Sequence, residues 1–118
     1  MPSKLDRSAG HLAEIERACA RIRSYLVGLD CASFLADMRT QNAVLMQLIV
    51  AGESANSLEP SVFAEAPEVD WPAVVGLRNR IAHGYDTIDR GRIWDECELH
   101  LETLETAVHR MLAARGEA

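Results

Sequence analysis

Apolar residues recur at alternating spacings of three and four along the first part of the chain. This period predicts a helix from about Ala9 to about Leu29 with one buried stripe. The stripe consists of Leu12, Ile15, Cys19, Ile22, Leu26 and Leu29. Gly28 and Asp30 disfavour continuation of the helix, so it should end there.

A second helix is predicted from about Cys31 to about Asn56. Its inward positions are expected to be Phe34, Leu35, Met38, Leu45, Leu48, Ile49 and Gly52. Within it, residues 43–50 are apolar nearly all round. A helix apolar on more than one face is usually central or lies at a subunit interface.

Residues 57–70 contain Pro60 and Pro67 and predict a loop with room for one helical turn. Asp70 followed by Trp71 and Pro72 has the pattern of a helix N-cap with proline in the first turn. The third helix is expected from about Trp71 to Ala82, with Gly84 as its C′ glycine.

Asp89 is the predicted cap of a fourth helix, which runs to about Ala114. Its apolar stripe consists of Ile93, Cys97, Leu101, Leu104, Val108 and Met111. No segment alternates as a strand. The fold class predicted is all-α, an up-and-down bundle of four main helices in a single domain over residues 1–118, with loose termini at 1–8 and 115–118.

Composition agrees with an aliphatic helical bundle, because apolar residues make up 48% of the chain and aromatic residues only 5%. No segment reaches the roughly 18 consecutive apolar residues of a membrane span, and the first residues lack the apolar run of a signal peptide. We therefore expect a soluble, cytoplasmic protein without a membrane partner.

The cysteines and histidines do not have the spacing of metal ligands. Cys19, Cys31 and Cys97 form no CxxC pair, and His100 and His109 are too far apart for a helical metal site. We expect reduced thiols in or near helix cores, no metal and no cofactor.

Charge is distributed unevenly. The net charge is −6, which argues against a general nucleic-acid coat protein. Between Trp71 and Trp94, however, there are four arginines against two aspartates, namely Arg78, Arg80, Arg90 and Arg92 against Asp86 and Asp89. This local window suits a focused phosphate site, while the acidic remainder suits a basic partner.

Residues 78–85 combine the side chains needed for phosphodiester chemistry without a metal. His83 can accept and give a proton near neutral pH, and the guanidinium of Arg78 matches two phosphate oxygens at once. Asn79 can orient a neighbour, and Tyr85 adds a hydroxyl. Each also has a plain structural explanation: surface ion pairing for arginine, the helix dipole for histidine, and partial burial for tyrosine.

Arg78 and His83 are five residues apart, which is about 140° of rotation on a continuous helix. They would converge only if the helix unwinds near Gly84 or if two chains share the site. Attack by an RNA 2′-hydroxyl needs both a base and an acid, and each chain supplies one histidine here. A twofold dimer with facing motifs would supply two histidines and two arginines.

Arg78, Asn79, His83 and Tyr85 form an Arg-Asn-x3-His-x-Tyr pattern that resembles the signature of HEPN domains, specifically the HepT-like branch. Further blocks are similar in order and spacing: residues 34–44, residues 52–56, Trp71 with residues 76–79, and Ile93-Trp94. The resemblance covers about Leu12 to Leu112.

This resemblance implies an all-helical homodimer that acts as a metal-independent RNA endonuclease and toxin, with Arg78 and His83 catalytic at a cleft between subunits. It implies supporting roles for Asn79 and Tyr85. It also implies a partner, a minimal nucleotidyltransferase antitoxin that attaches adenylate to Tyr85. A bulky anionic group there would fill and repel the phosphate site.

Three roles stay open at the level of sequence. Glu53 is either a carboxylate that orients Arg78 or His83, or a plain surface residue. Arg80, Arg90 and Arg92 are either extra phosphate contacts or solvated side chains. The alternative function is a non-catalytic helical partner of a nucleotidyltransferase that binds nucleotide or presents a binding surface.

Overall fold

A computed structural model describes residues 7–116 of the chain. The helices are α1 (Ser8–Leu26), α2 (Cys31–Leu35), α3 (Met38–Asn56), α4 (Pro60–Phe63), α5 (Trp71–Val75), α6 (Leu77–Gly84) and α7 (Arg90–Ala114), with a 3₁₀ turn at Tyr85–Thr87. These residues contain no strand. The predicted all-α helical bundle is confirmed, although two of the four predicted helices are interrupted.

The predicted loose termini, 1–8 and 115–118, lie mostly outside the described residues. Within them, Ser8 is the first residue of α1. At the other end, the guanidinium of Arg115 binds the carboxylate of Glu65 at 2.7 Å.

The three long helices α1, α3 and α7 form the body of the bundle. α1 packs most extensively on α3 and also packs on α7. Five of the fully buried side chains show how the faces meet: Leu12, Ile15 and Ile22 on α1, Val44 on α3 and Val108 on α7. Within residues 7–116, no helix is both long and apolar enough to cross a membrane.

The second predicted helix is broken between α2 and α3. The Asp37 carboxylate accepts a hydrogen bond from the Thr40 backbone N–H, which caps α3. The buried amide of Gln41 donates to the carbonyl oxygens of Phe34 and Leu35 at the end of α2, and the Phe34 oxygen also accepts from the Asp37 backbone N–H. A polar residue therefore joins the two helices across the break.

This break also changes which side chains are inside. Phe34 and Leu45 are buried as predicted, but Leu35 and Met38 are 49% and 67% exposed. Their predicted inward positions are wrong, because a continuous helix was assumed and the break at Asp37 shifts the direction in which the flanking residues point.

The third predicted helix is divided at Gly76 into α5 and α6. Its predicted start is confirmed: the Asp70 carboxylate accepts from the Ala73 N–H, and proline lies in the first turn. Its predicted end is wrong, because Gly84 has φ −119° and is the last residue of α6 rather than a left-handed C′ glycine. The chain continues directly into the 3₁₀ turn, so Tyr85 stays close to the helix.

The predicted cap and length of the last helix are confirmed. The Asp89 carboxylate accepts from the Arg92 N–H, and α7 ends at Ala114. The first helix ends at Leu26, a few residues before the predicted end at about Leu29, and the predicted break lies at Gly28, which has φ +79°, a conformation that glycine adopts without steric cost.

Candidate functional site

The predicted site residues lie along α6 and the turn that follows it. Ile81 is the buried residue of this short helix and faces the core. Arg78, Asn79, His83 and Tyr85 are all exposed. The helix and the turn therefore present these four side chains on the protein surface.

Arg78 is held by Glu53 of α3. The Arg78 Nε and a Glu53 carboxylate oxygen form an ion pair, with both side chains 54% exposed. Arg78 Nη1 also lies 3.4 Å from the Asn79 side-chain oxygen, to which it donates a long hydrogen bond. This ion pair agrees with the interpretation in which Glu53 orients Arg78. The catalytic role of Arg78 stays a prediction.

Gly52 allows α3 and α6 to approach closely at this point. A Cβ at position 52 would lie 3.0 Å from the Val74 carbonyl oxygen, 3.1 Å from the Arg78 backbone nitrogen and 3.2 Å from the Leu77 Cβ. Two of these atoms are backbone, which cannot rotate away. Glycine is therefore required for α3 to lie close enough for Glu53 to contact Arg78.

His83 stands apart from these contacts. Its imidazole is exposed and makes no hydrogen bond or ion pair with any described residue. Because α6 is continuous from Leu77 to Gly84, Arg78 and His83 point in directions about 140° apart. One chain does not bring the predicted base and the predicted cation onto one face.

Tyr85 is fixed from two sides, although 44% of it is exposed. Its hydroxyl donates to the Asn42 side-chain oxygen on α3 at 2.7 Å. The guanidinium carbon of Arg90, the first residue of α7, lies 5.2 Å from the centre of the Tyr85 ring. This is within the range of a cation–π contact.

Sequence reasoning assigned no role to Asn42. The contact joins residues 43 positions apart, so no local spacing indicates it. The charge of Arg90 is evident from the sequence, but its stacking on Tyr85 depends on how α7 meets the 3₁₀ turn. Among the other arginines of this window, Arg80 binds the Glu96 carboxylate at 2.8 Å.

The cysteines and histidines of the described segment form no group that could hold a metal ion with nearby carboxylates. Burial raises the pKa of the Cys19 thiol and that of the Cys97 thiol to about 12. Both thiols are therefore neutral near pH 7 and poor nucleophiles.

The site is a surface rather than a cavity within one chain. A cavity of about 180 Å³ between α3, α5 and α7 is lined by residues such as Leu48, Val74 and Leu104, and by none of the five predicted site residues. A substrate bound at Arg78 or at His83 of one chain would therefore meet exposed surface of α6.

An all-α bundle with an Arg-Asn-x3-His-x-Tyr motif exposed on a short helix defines the class of protein. A family model described as ribonuclease HepT-like matches residues 15–111. The chain therefore belongs to the HepT-like ribonuclease family.

Three relatives agree with this family. A protein of Methanocaldococcus jannaschii named as an RNase is 37% identical over 62 residues, which cover 52% of this chain and 51% of the relative. A Thermococcus cleftensis protein named as ribonuclease HepT is 24% identical over 95 residues, 80% of this chain and 86% of the relative. A Caldanaerobacter subterraneus protein named as an RNase is 22% identical over 102 residues, 86% of this chain and 91% of the relative.

The chain thus spans about half the length of the first relative and most of the other two. No solved structure matches it significantly. The family and the names of its members indicate ribonuclease activity.

Proposed function

We propose that this chain is the toxin of a two-gene toxin–antitoxin system and acts in the cytoplasm as an RNA endonuclease without a metal or cofactor. Two copies form a composite site from Arg78 and His83 of each chain. A cognate minimal nucleotidyltransferase neutralises the protein by attaching adenylate to Tyr85.

The state of His83 carries the proposal. Its imidazole is exposed and has no partner among residues 7–116, and it lies on the same helix as an arginine that is paired with a carboxylate. A proton-transfer group must be free to reach its substrate. His83 meets this requirement, whereas His109, which binds Glu16 at 2.9 Å, does not.

The divergence of Arg78 and His83 supports a site shared by two chains. Cleavage through the 2′-hydroxyl removes a proton from that oxygen and delivers one to the leaving 5′-oxygen. His83 of one copy would serve as base and His83 of the other as acid, while Arg78 stabilises charge on the phosphoryl oxygens. Asn79, next to Arg78 and 3.4 Å from its Nη1, supports the guanidinium.

An exposed apolar stripe beside the site supports the same arrangement. Met38 and Met46 of α3 are 67% and 56% exposed. With about 100° of rotation per residue, they share an arc of roughly 80° with Asn42 and Glu53, the two residues that contact the motif. A second copy packed on this stripe would bring its own α6 next to the first.

The position of Tyr85 supports modification by a partner enzyme. It lies just beyond α6 and is 44% exposed, so its hydroxyl is accessible once the hydrogen bond to Asn42 opens. Adenylate would add a phosphate beside the arginines of the site, compete with the RNA phosphate and block the face of α6.

The test is cleavage of a structured RNA in the presence of EDTA by the wild-type chain, His83→Ala and His100→Ala. His100 is an exposed histidine on α7 and serves as the matched control. We expect 2′,3′-cyclic phosphate ends from the wild type and from His100→Ala, and a loss of about 10²–10⁴-fold in His83→Ala. Activity that depends on added magnesium, or that survives His83→Ala, would refute the mechanism.

A second experiment tests neutralisation. Co-expression with the nucleotidyltransferase should add the mass of adenylate to the wild type at Tyr85 and restore growth. Tyr85→Phe should escape both effects, with Tyr25→Phe, a tyrosine of α1, as control. An adduct on another residue, or growth restored in Tyr85→Phe, would remove Tyr85 from this role.

A further inference from the structure

The three arginines that flank the motif differ in what they contact. Arg80 is neutralised by Glu96 at 2.8 Å. Arg92 is exposed, and its side chain makes no hydrogen bond or ion pair with the described residues. Arg90 is partly buried and stacked on Tyr85 at 5.2 Å. Only Arg90 of the three is both held in place and left without a counter-charge.

One donor of Arg90 is enclosed without a partner. Its Nη1 is buried and has no hydrogen-bond acceptor, and its guanidinium has no carboxylate partner among residues 7–116. A buried donor left unpaired is costly, more so on a charged group. Nη1 is enclosed by protein and out of reach of an anion, but the other N–H groups of this partly buried guanidinium also have no partner among residues 7–116, and phosphate has the geometry to accept two hydrogen bonds from them.

Arg90 also lies at a separate position from Arg78. Arg78 is in the first turn of α6. Tyr85, on whose ring Arg90 is stacked, directly follows the last residue of α6. Seven residues of helix correspond to roughly 10 Å along the axis. Arg78 and Arg90 therefore lie near opposite ends of α6, at positions that suit two different phosphates of one bound strand.

We propose that Arg90 is a phosphate-binding residue that contacts the RNA strand at a phosphate other than the one bound by Arg78, with the Tyr85 ring holding its guanidinium for this contact. The inference rests on the ribonuclease function proposed above and extends its substrate site beyond the cut position. It also links the site to regulation, since adenylate on Tyr85 would place its phosphate within reach of Arg90 and occupy this contact.

The experiment measures binding of a single-stranded RNA oligonucleotide as a function of salt. His83→Ala serves as the parent, so that cleavage does not interfere. Arg90→Ala, Arg90→Lys and Arg92→Ala are added to it. Arg92→Ala is the matched control, because it removes the same charge two residues away on the same helix without touching Tyr85. Circular dichroism and thermal melting confirm that each variant is folded.

We expect Arg90→Ala to weaken binding by roughly tenfold or more, as for a lost charge-assisted hydrogen bond. The slope of log K against log salt should fall by about 0.7, the value for one phosphate contact on a single strand. Arg90→Lys should keep the slope but lose part of the affinity, because lysine retains the charge and loses the planar fork. Arg92→Ala should match the parent in both affinity and salt slope.

Two results would overturn the inference about Arg90 while leaving the proposed function standing. Equal slope changes in Arg90→Ala and Arg92→Ala would indicate a general charge effect, and weaker binding by Arg90→Ala at an unchanged slope would indicate that Arg90 only supports Tyr85. If the parent binds no RNA and the wild type cleaves none, the proposed function fails and this inference fails with it.

Discussion

The Tyr85 hydroxyl donates a hydrogen bond of 2.7 Å to the Asn42 side chain, across 43 residues of chain. Asn42 lies near the start of α3, and Glu53, which pairs with Arg78, lies near its end. α3 and α6 therefore run antiparallel, with one polar contact at each end of α6. The two ends of the motif, Arg78 and Tyr85, are therefore both held against a single long helix.

The bond between Tyr85 and Asn42 should be measurable as a coupling energy. Asn42→Ala and Tyr85→Phe each remove it, so each should lower the free energy of unfolding by about 1 kcal/mol. The double variant should cost no more than about the larger single effect, since the interaction is lost only once. Urea unfolding of the four proteins tests this. Fully additive effects would mean that the bond contributes no stability.

Glu53→Gln should reduce catalysis while leaving stability nearly unchanged. The ion pair with Arg78 is half exposed, and such pairs add little to folding. Misorientation of Arg78 should lower kcat by roughly ten- to a hundredfold, with a smaller effect on KM.

Glu96→Gln provides the matched control for this change. Glu96 pairs with Arg80, which lies two residues after Arg78 on α6. Removal of the Glu96 charge should therefore leave kcat intact. Similar losses of kcat in the two variants would show that Glu53 has no special role in positioning Arg78.

Gly52→Ala should destabilise the protein and reduce its activity together. The added methyl group would meet backbone atoms of Val74 and Arg78 at 3.0 and 3.1 Å, so α3 and α6 must separate. The expected cost is about 1–3 kcal/mol.

Gly10→Ala is the control: its methyl group would meet nothing within 4 Å, and alanine in a helix should add up to about 1 kcal/mol of stability. Chemical unfolding and RNA cleavage assays measure both. A neutral Gly52→Ala would contradict the tight helix crossing.

Stability should fall at alkaline pH because of two buried thiols. Burial raises the pKa of Cys19 and of Cys97 from the ordinary 9.0 to about 12. Between these values the unfolded state releases protons that the native state retains, so stability decreases as pH rises from about 9 towards 12. The urea midpoint should therefore depend less on pH in Cys19→Ala and Cys97→Ala than in the wild type, with the partly buried Cys31 replaced as the control. Identical pH profiles in all variants would contradict the burial effect.

The exposed methionines of α3 should determine association. Met46→Glu places a charge in the proposed interface and should weaken dimerisation by roughly tenfold or more, as judged by light scattering across a dilution series. Leu99→Glu changes a more exposed apolar residue, 70% accessible, on α7, and should leave the dimer intact. A monomeric wild type at micromolar concentration would remove the shared site.

Much of the helical structure follows from local signals in the sequence. The caps at Asp70 and Asp89, the proline in the first turn of α5 and the reversal at Gly28 act within a few residues, so the pattern alone predicts them. The breaks at Asp37 and Gly76 were missed, because an apolar stripe continues across them and periodicity does not reveal a change of direction. The cap on Asp37 is as local as the others, and it was the one signal that could have indicated the first break.

For the site, the sequence alone determined which residue types stand together on α6 and the turn after it, because Arg78, Asn79, His83 and Tyr85 lie within eight positions. Only the tertiary structure decided their partners. Glu53 pairs with Arg78 because Gly52 lets α3 approach α6, and Arg90 reaches Tyr85 because α7 begins beside the 3₁₀ turn. Such contacts join different elements of the fold, and their geometry depends on how whole helices pack, which spacing within one segment does not encode.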